Sequence, residues 1–195
     1  MPKRVVIIHG SPRKNGNTRA LAQIAKAAIE ETGAQCDWID AAALDFKYPG
    51  CIACYHCQRS PDYGCHVKDG LAKAVNALPG YDAIVLAVPV YWHAAPSQAK
   101  MFIDRMFSLI KFDENHTFFS ALKGKPLGLL ATGGGVTRAN LALLEAQWRT
   151  AAANTGLKLL SCLFPGCPPE RGAADDPKRV TKAQKFGTEL MRLIT

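Results

Sequence analysis

The sequence has no apolar run that approaches the roughly 20 residues of a membrane-spanning helix. The apolar run that follows Lys3 and Arg4 contains only four residues, which is too short for a secretory signal. We therefore expect a cytoplasmic protein with no membrane partner.

Two nucleotide-binding fingerprints are also missing. A Walker A loop reads G-x-x-x-x-G-K-[ST], but here five residues separate Gly10 from Gly16, and Asn17 stands where the lysine would be. The dinucleotide fingerprint G-x-G-x-x-G is absent too. Neither an NTPase nor a pyrophosphate held in the dinucleotide-binding manner is expected.

The formal charge of +8 does not indicate a nucleic-acid partner. Its 24 Lys and Arg residues are scattered along the chain. No helix-turn-helix, zinc-finger or RNP motif accompanies them. Anionic small molecules or a solvated basic surface account for the charge, so we expect no nucleic acid.

Short apolar runs alternate with helical patterns along the 195 residues, a length typical of one domain. Strands are predicted at 5–8, 34–40, 83–89, 126–132 and 158–164. Helices are predicted at 21–32, 69–78, 97–110 and 138–155, and from 177 onwards. Residues 41–68 and 165–176 are expected to be irregular, and 111–124 to cover a cleft or meet another subunit. This alternation predicts an α/β domain with a parallel sheet covered on both faces.

The loop after the first strand is the strongest binding signal. It leads into a helix N-terminus, where unpaired N–H groups and the helix dipole favour an anion. It also carries polar side chains and a cation: Ser11, Arg13, Asn15, Asn17 and Thr18. We predict that this loop holds a terminal monophosphate without a metal, with an ordinary polar loop as the alternative.

Two more loops follow predicted strands and should meet the first, because ligands of open parallel sheets bind beyond the carboxyl ends of the strands. One can supply an apolar wall and backbone polar groups: Pro89, Val90, Tyr91, Trp92 and His93. The other allows close backbone approach through its glycines: Thr132, Gly133, Gly134 and Gly135. Together the three loops suit the parts of a flavin mononucleotide. His93 could donate to the flavin or a substrate, with a structural role as the alternative.

Five motifs in this order resemble the NADPH-dependent FMN reductase family of flavodoxin-like proteins. They lie at 10–18, 89–92, 100–105, 122–126 and 132–135. The resemblance implies one flavodoxin-like domain over 1–195, a doubly wound five-stranded sheet of order 2-1-3-4-5, and noncovalent FMN. It places Ser11, Arg13, Asn17 and Thr18 at the phosphate, 89–92 beside the ring and 133–135 at its far edge. It also implies a homodimer or homotetramer.

A cysteine-bearing loop at about 47–68 carries a second signal. Cys51, Cys54, Cys57 and Cys65 follow the spacing CxxCxxCx7C. Three thiolates two residues apart with a fourth nearby suit a [4Fe-4S] cluster, and the motif resembles that of the iron-sulfur flavoproteins. Zinc on these cysteines, with His66 able to replace Cys65, and free thiols without a metal are the alternatives.

The remaining three cysteines are isolated in the sequence, and we interpret them as core or loop residues: Cys36, Cys162 and Cys167. In a reducing compartment the odd total of seven favours metal or redox chemistry over disulfides.

These features predict an NAD(P)H-dependent FMN oxidoreductase with a small-molecule acceptor such as free flavin, a quinone, or a nitro- or azo-compound. No catalytic side chain is expected, because FMN itself carries such chemistry. Without a dinucleotide fingerprint, the nicotinamide should stack on the exposed flavin face that later admits the acceptor. An electron carrier whose cluster at 51–65 receives electrons from ferredoxin is the alternative, and a flavodoxin-like module with an empty or structural site is a third.

Overall fold

The computed structural model describes residues 1–168, 170 and 172–194. The strands, in chain order, are β1 (Arg4–His9), β2 (Gln35–Asp40), β3 (Ala83–Pro89), β4 (Ile110–Phe112), β5 (Phe118–Ser120), β6 (Pro126–Thr132) and β7 (Lys158–Phe164). Five of them form a parallel sheet of order β2-β1-β3-β6-β7. Numbered among themselves, these five strands have the order 2-1-3-4-5, which confirms the predicted doubly wound architecture.

The described residues form six α-helices beside the strands: α1 (Asn17–Glu30), α2 (His56–Arg59), α3 (Gly70–Asn76), α4 (Ser97–Arg105), α5 (Ala139–Thr155) and α6 (Pro177–Arg192). Asp69 caps α3 by accepting from the Ala72 N–H at 2.8 Å, and Asp176 caps α6 by accepting from the Lys178 N–H at 2.9 Å. No helix in the described part of the chain is long and apolar enough to span a bilayer.

The sheet separates two hydrophobic layers, because successive side chains of a strand point to opposite faces. Val6 and Ile8 of β1 belong to the layer that also includes apolar residues of α3, α4 and α5. Val5 and Ile7 belong to the layer formed with α1 and α6. These four side chains are at most 1% exposed, and full burial of each contributes about 1.5–3 kcal/mol to folding.

Four segments differ from the sequence prediction, the first being α1, which begins at Asn17 rather than at residue 21. The connection at 111–124 contains the antiparallel hairpin β4–β5, whose turn is closed by the Asp113 carboxylate accepting from the N–H groups of Asn115 and Thr117. The helix predicted to reach Ile110 ends as an α-helix at Arg105 and continues as a 3-10 turn. The cysteine loop contains the short helix α2. Of the predicted loop 165–176, positions 169 and 171 lie outside the described residues.

Candidate functional site

A pocket of about 150 Å³ lies at the carboxyl ends of β1, β3 and β6. This is the switch point of the sheet, since β1 is flanked by β2 on one side and β3 on the other. The residues that line it are Ser11, Arg13, Gly16, Asn17, Thr18, Pro89, Val90, Tyr91, Thr132, Gly133, Gly134, Cys167 and Pro168. The three predicted loops therefore meet at one pocket, and the segment after β7 joins them.

The N-terminus of α1 opens onto this pocket. Gly16 precedes the helix, none of the described side chains caps its first turn, and that turn carries no acidic residue. Ser11 is 4% exposed, and its Oγ accepts from the Arg13 N–H at 3.2 Å, which shapes the loop. The helix dipole and the first-turn N–H groups thus favour an anion at this end.

A buried hydrogen bond ties the first loop to the central sheet. The hydroxyls of Thr18 and Thr132 lie 2.7 Å apart, and the two residues are 2% and 4% exposed. Thr18 belongs to the first turn of α1, and Thr132 is the last residue of β6. This bond fixes the start of the helix against the strand end.

Asn17 lines the pocket, but its side-chain amide is engaged elsewhere. Its Nδ2 donates to the Pro168 and Glu170 carbonyls at 2.7 and 3.0 Å, and its Oδ1 accepts from the Ala173 N–H at 3.0 Å. The amide therefore holds the segment after β7 against the start of α1. The backbone N–H groups of the first turn of α1 lack partners inside the helix, and they are the groups that favour an anion here.

Gly133 and Gly134, the first two of the three glycines after β6, differ in the space available for a side chain. The Gly133 N–H donates to the Phe164 carbonyl at 3.0 Å, and a Cβ at Gly133 would stand 2.9 Å from a Val90 methyl carbon. Within the described ranges, a Cβ at Gly134 would meet only the Cys167 carbonyl, at 3.9 Å. Packing requires the glycine at 133, whereas Gly134 faces the open pocket.

A tight turn carries two predicted site residues away from the pocket. Tyr91 and Ala94 exchange backbone hydrogen bonds of 2.9 and 3.0 Å, and the residues between them have φ values of 48° (Trp92) and 63° (His93). Two central residues with positive φ are typical of a type I′ turn. Trp92 is 97% exposed. Tyr91 lines the pocket, while Trp92, His93, Asn15 and Gly135 stand outside its lining.

Sequence reasoning missed three lining residues: Gly16, Cys167 and Pro168. The Cys167 N–H donates to the Gly133 carbonyl at 2.9 Å, and burial raises the pKa of its thiol. The available signal was that Cys167 follows a strand whose carboxyl end lies at the same sheet edge. Cys36 and Cys162 are core residues, as predicted, and burial raises the pKa of each thiol to about 12.

His9, directly before the first loop, is fully buried on the α1 side of the sheet. Its ring stacks on Trp38 with centroids 5.3 Å apart, and its Nδ1 lies 3.7 Å from Asp40 Oδ1. Neither ring nitrogen has a hydrogen-bond partner among the described residues. Burial lowers the pKa of His9, against the opposing attraction of Asp40, so the ring is neutral near pH 7.

The four predicted ligand cysteines line a second pocket together: Cys51, Cys54, Cys57 and Cys65. Left-handed backbone at Ala53 and Tyr55 winds the chain between them. Three of the sulfurs accept hydrogen bonds from N–H groups. Ala53 N donates to Cys51 at 3.4 Å, Gln58 Nε2 to Cys57 at 3.8 Å and Arg105 Nη1 to Cys65 at 3.2 Å. Hydrogen bonds to the sulfurs are one of the features that tune iron-sulfur sites.

The cysteines do not converge as ligands of one ion. No group of three or more His, Cys, Asp or Glu residues in the described ranges is placed to hold a single metal ion. Basic side chains surround the loop instead: Arg59 donates to the Cys54 carbonyl at 3.1 Å, and Lys111 donates to the Cys57 carbonyl at 2.7 Å. Arg59 and Lys111 thus place positive charge beside the pocket, while the charge of Arg105, which lines it, is paired with Asp69.

Known structures share this fold. A crystal structure of an NADH:FMN oxidoreductase in its apo form is 22% identical, with a TM-score of 0.71 over 99% of this chain and 90% of that chain. An NAD(P)H:quinone oxidoreductase from Methanothermobacter marburgensis is 15% identical, with a TM-score of 0.76 over 97% of this chain and 100% of that one.

Curated relatives share the sequence over part of their length. An iron-sulfur flavoprotein of Methanocaldococcus jannaschii is 34% identical over 52% of this chain and 51% of that protein. An iron-sulfur flavoprotein of Archaeoglobus fulgidus is 30% identical over 68% of this chain and 56% of that protein. The chain thus spans little more than half the length of these relatives. Residues 3–160 match the NADPH-dependent FMN reductase family, and the chain belongs to that family.

Proposed function

We propose that the protein is an FMN-dependent NAD(P)H oxidoreductase that passes electrons to a small-molecule acceptor. The observation that carries this proposal is the N-terminus of α1, capped by none of the side chains that the structure describes, opening into a pocket at the switch point of the sheet. Family membership and the oxidoreductases among the structural neighbours support it.

The residues present fit FMN. Arg13 and the backbone N–H groups at the start of α1 would hold the phosphate, and the open space at Gly134 would admit the ligand beside the 132–134 backbone. Tyr91, 44% exposed, would lie against the ring. When bound, FMN supplies hydride and electron transfer. The protein's residues bind and orient it and leave one side open to solvent and substrate.

The test measures binding and reduction of the flavin. Apoprotein is titrated with FMN and with riboflavin, which lacks the phosphate. Arg13→Gln should weaken FMN binding about tenfold or more, because a charge-assisted hydrogen bond contributes about 1.5–3 kcal/mol. Riboflavin binding should not change, and Lys185→Gln on the exposed face of α6 is the matched control. Wild-type protein that binds FMN no better than riboflavin would contradict the phosphate site.

A second candidate function is favoured by the cysteine pocket. We propose that Cys51, Cys54, Cys57 and Cys65 hold a [4Fe-4S] cluster, and that the protein then acts as an electron carrier. The donor set fits, because four thiols share one pocket with N–H groups and cations around it. A cube binds each thiolate to a different iron, so its ligands stand further apart than those of one ion. The relatives named iron-sulfur flavoproteins add support.

Two measurements separate the candidates. Iron and sulfide analysis of anaerobically prepared protein tests the cluster, and Cys51→Ser should abolish both while leaving flavin absorbance. Rapid anaerobic bleaching of the flavin by NADPH supports the oxidoreductase. Bleaching by reduced ferredoxin, without any response to NADPH or NADH, supports the electron carrier and rules out the first candidate.

We also propose that the protein forms a homodimer or homotetramer. The hairpin β4–β5 presents Phe112, Phe118 and Phe119, which are 39%, 51% and 50% exposed. Adjacent exposed aromatic side chains are typical of protein interfaces. Phe118→Ser combined with Phe119→Ser should shift the sedimentation coefficient toward that of a 21.1 kDa monomer. An unchanged coefficient would place any interface elsewhere.

A further inference from the structure

Arg105 is a buried charge that serves the cysteine loop. It is the last residue of α4, it is 1% exposed, and it is among the largest fully buried side chains of the described residues. Burying an arginine is costly unless its donors are satisfied. The hydrogen-bond partners of Arg105 therefore indicate its role.

The guanidinium contacts both ends of the cysteine loop. Its Nε donates to the Gly50 carbonyl at 2.5 Å, directly before Cys51, and Nη2 donates to the Tyr48 carbonyl at 3.2 Å. Its Nη1 donates to Cys65 Sγ at 3.2 Å. One planar fork thus joins the beginning of the motif to its last cysteine.

Asp69 balances this charge. Its carboxylate lies 3.1 Å from Arg105 Nη2 and 3.5 Å from Nη1, and both side chains are 1% exposed. The carboxylate also accepts from the Lys47 and Ala72 N–H groups at 3.0 and 2.8 Å, so its position is fixed. The net charge beside Cys65 therefore depends on both Arg105 and Asp69.

The other nearby cations contact the loop differently. Arg59 and Lys111 donate to carbonyl oxygens of Cys54 and Cys57. Among the described residues, Arg105 is the cation that donates a hydrogen bond to a cysteine sulfur. A charged donor to a ligand sulfur raises the potential of an iron-sulfur site, because it stabilises the added electron.

We propose that Arg105 is a positioning residue that fixes Cys65 and raises the reduction potential of a [4Fe-4S] cluster on the four cysteines, while Asp69 lowers that potential. This inference rests on the proposed cluster. It goes further by assigning opposite effects to two residues outside the ligand set. The pair would therefore set which one-electron donors and acceptors the protein can use.

The experiment is an EPR-monitored redox titration of full-length protein whose iron and sulfide content has been measured. Arg105→Gln should shift the cluster midpoint to a more negative potential, and Asp69→Asn should shift it to a more positive one. Arg105→Lys keeps the charge but loses the planar fork, so its midpoint should also be more negative. Lys185→Gln, an exposed charge on α6, should leave the midpoint unchanged.

The outcomes separate the two proposals. Wild-type protein without iron and sulfide would overturn the cluster itself and this inference with it. Clusters present at wild-type content, with an unchanged midpoint in Arg105→Lys or shifts of the same sign in the Arg105→Gln and Asp69→Asn variants, would overturn only the role of the pair. If Arg105→Gln cannot hold iron, the Arg105→Lys and Asp69→Asn variants decide the question.

Discussion

The hydroxyls of Thr18 and Thr132 form a buried hydrogen bond of 2.7 Å between residues 114 positions apart. Thr18→Val preserves the shape but leaves the Thr132 hydroxyl buried without its partner. An unsatisfied buried hydroxyl costs about 1–3 kcal/mol. We therefore expect the free energy of unfolding, measured by urea denaturation, to fall by about that amount.

The double variant Thr18→Val with Thr132→Val is the control for this bond. Removing both partners of a hydrogen bond with groups of the same shape can be nearly neutral. The double variant should thus be more stable than either single variant. Additive losses in the cycle would show that the two hydroxyls do not depend on each other.

Gly133 and Gly134 are adjacent, yet alanine should affect them differently. At Gly133 the new Cβ would crowd Val90 and Asn140, so Gly133→Ala should lower the melting temperature. At Gly134 the Cβ would enter the pocket, so Gly134→Ala should melt normally and bind FMN more weakly. Thermal melts of the apoprotein and FMN titrations separate these effects. Equal effects on both properties would contradict the assignment of Gly134 to the ligand side.

His9 predicts a pH dependence of stability. Burial lowers its pKa below the ordinary 6.5, so the unfolded chain takes up a proton as the pH falls through 6.5, whereas the folded protein takes it up only at a lower pH. Stability from this residue is present above pH 6.5 and is lost on acidification, by at most about 1.4 kcal/mol per pH unit. Urea denaturation from pH 7.5 to 5.5 should show this slope in the wild type and a flatter one in His9→Gln. Equal slopes would exclude His9 as its source.

The turn at Trp92 and His93 holds two non-glycine residues at positive φ. Such residues cost about 1–3 kcal/mol each, and Asn-Gly adopts a type I′ turn readily. Replacing Trp92 with Asn and His93 with Gly should therefore raise the free energy of unfolding by about 1 kcal/mol or more. A loss of stability in a urea titration would show that contacts of the exposed indole and imidazole stabilise the fold by more than the strained backbone destabilises it.

The sequence was sufficient to predict the bounds of three strands of the parallel sheet: β3, β6 and β7. β3 and β6 lie inside the sheet, where a buried strand is a continuous apolar run, and β7 is the edge strand beside β6. The hairpin β4–β5 was not predicted, since its strands have three residues each and are too short to show a period. Local signals detect long, regular elements and miss short ones.

The candidate site was predictable where it depends on chain order. Loops that follow parallel strands must meet at one sheet edge, and for this reason the residues of three loops line one pocket. The side-chain partners of Asn17 were not predictable, because they lie about 150 residues further along the chain. The orientation of Trp92 depends on a backbone turn with positive φ at both central residues, and the sequence signals for such a turn are Asn-Gly, Asp-Gly and Gly-Gly rather than Trp-His.

Three hydrogen bonds of the Asn17 side chain join the start of α1 to Pro168, Glu170 and Ala173, so we expect these residues to move together. Any ligand that settles against the helix start should therefore slow hydrogen exchange at the Ala173 amide, although that residue lies outside the pocket lining. Asn17→Ala would disconnect the two segments, and protection at Ala173 would then no longer respond to ligand.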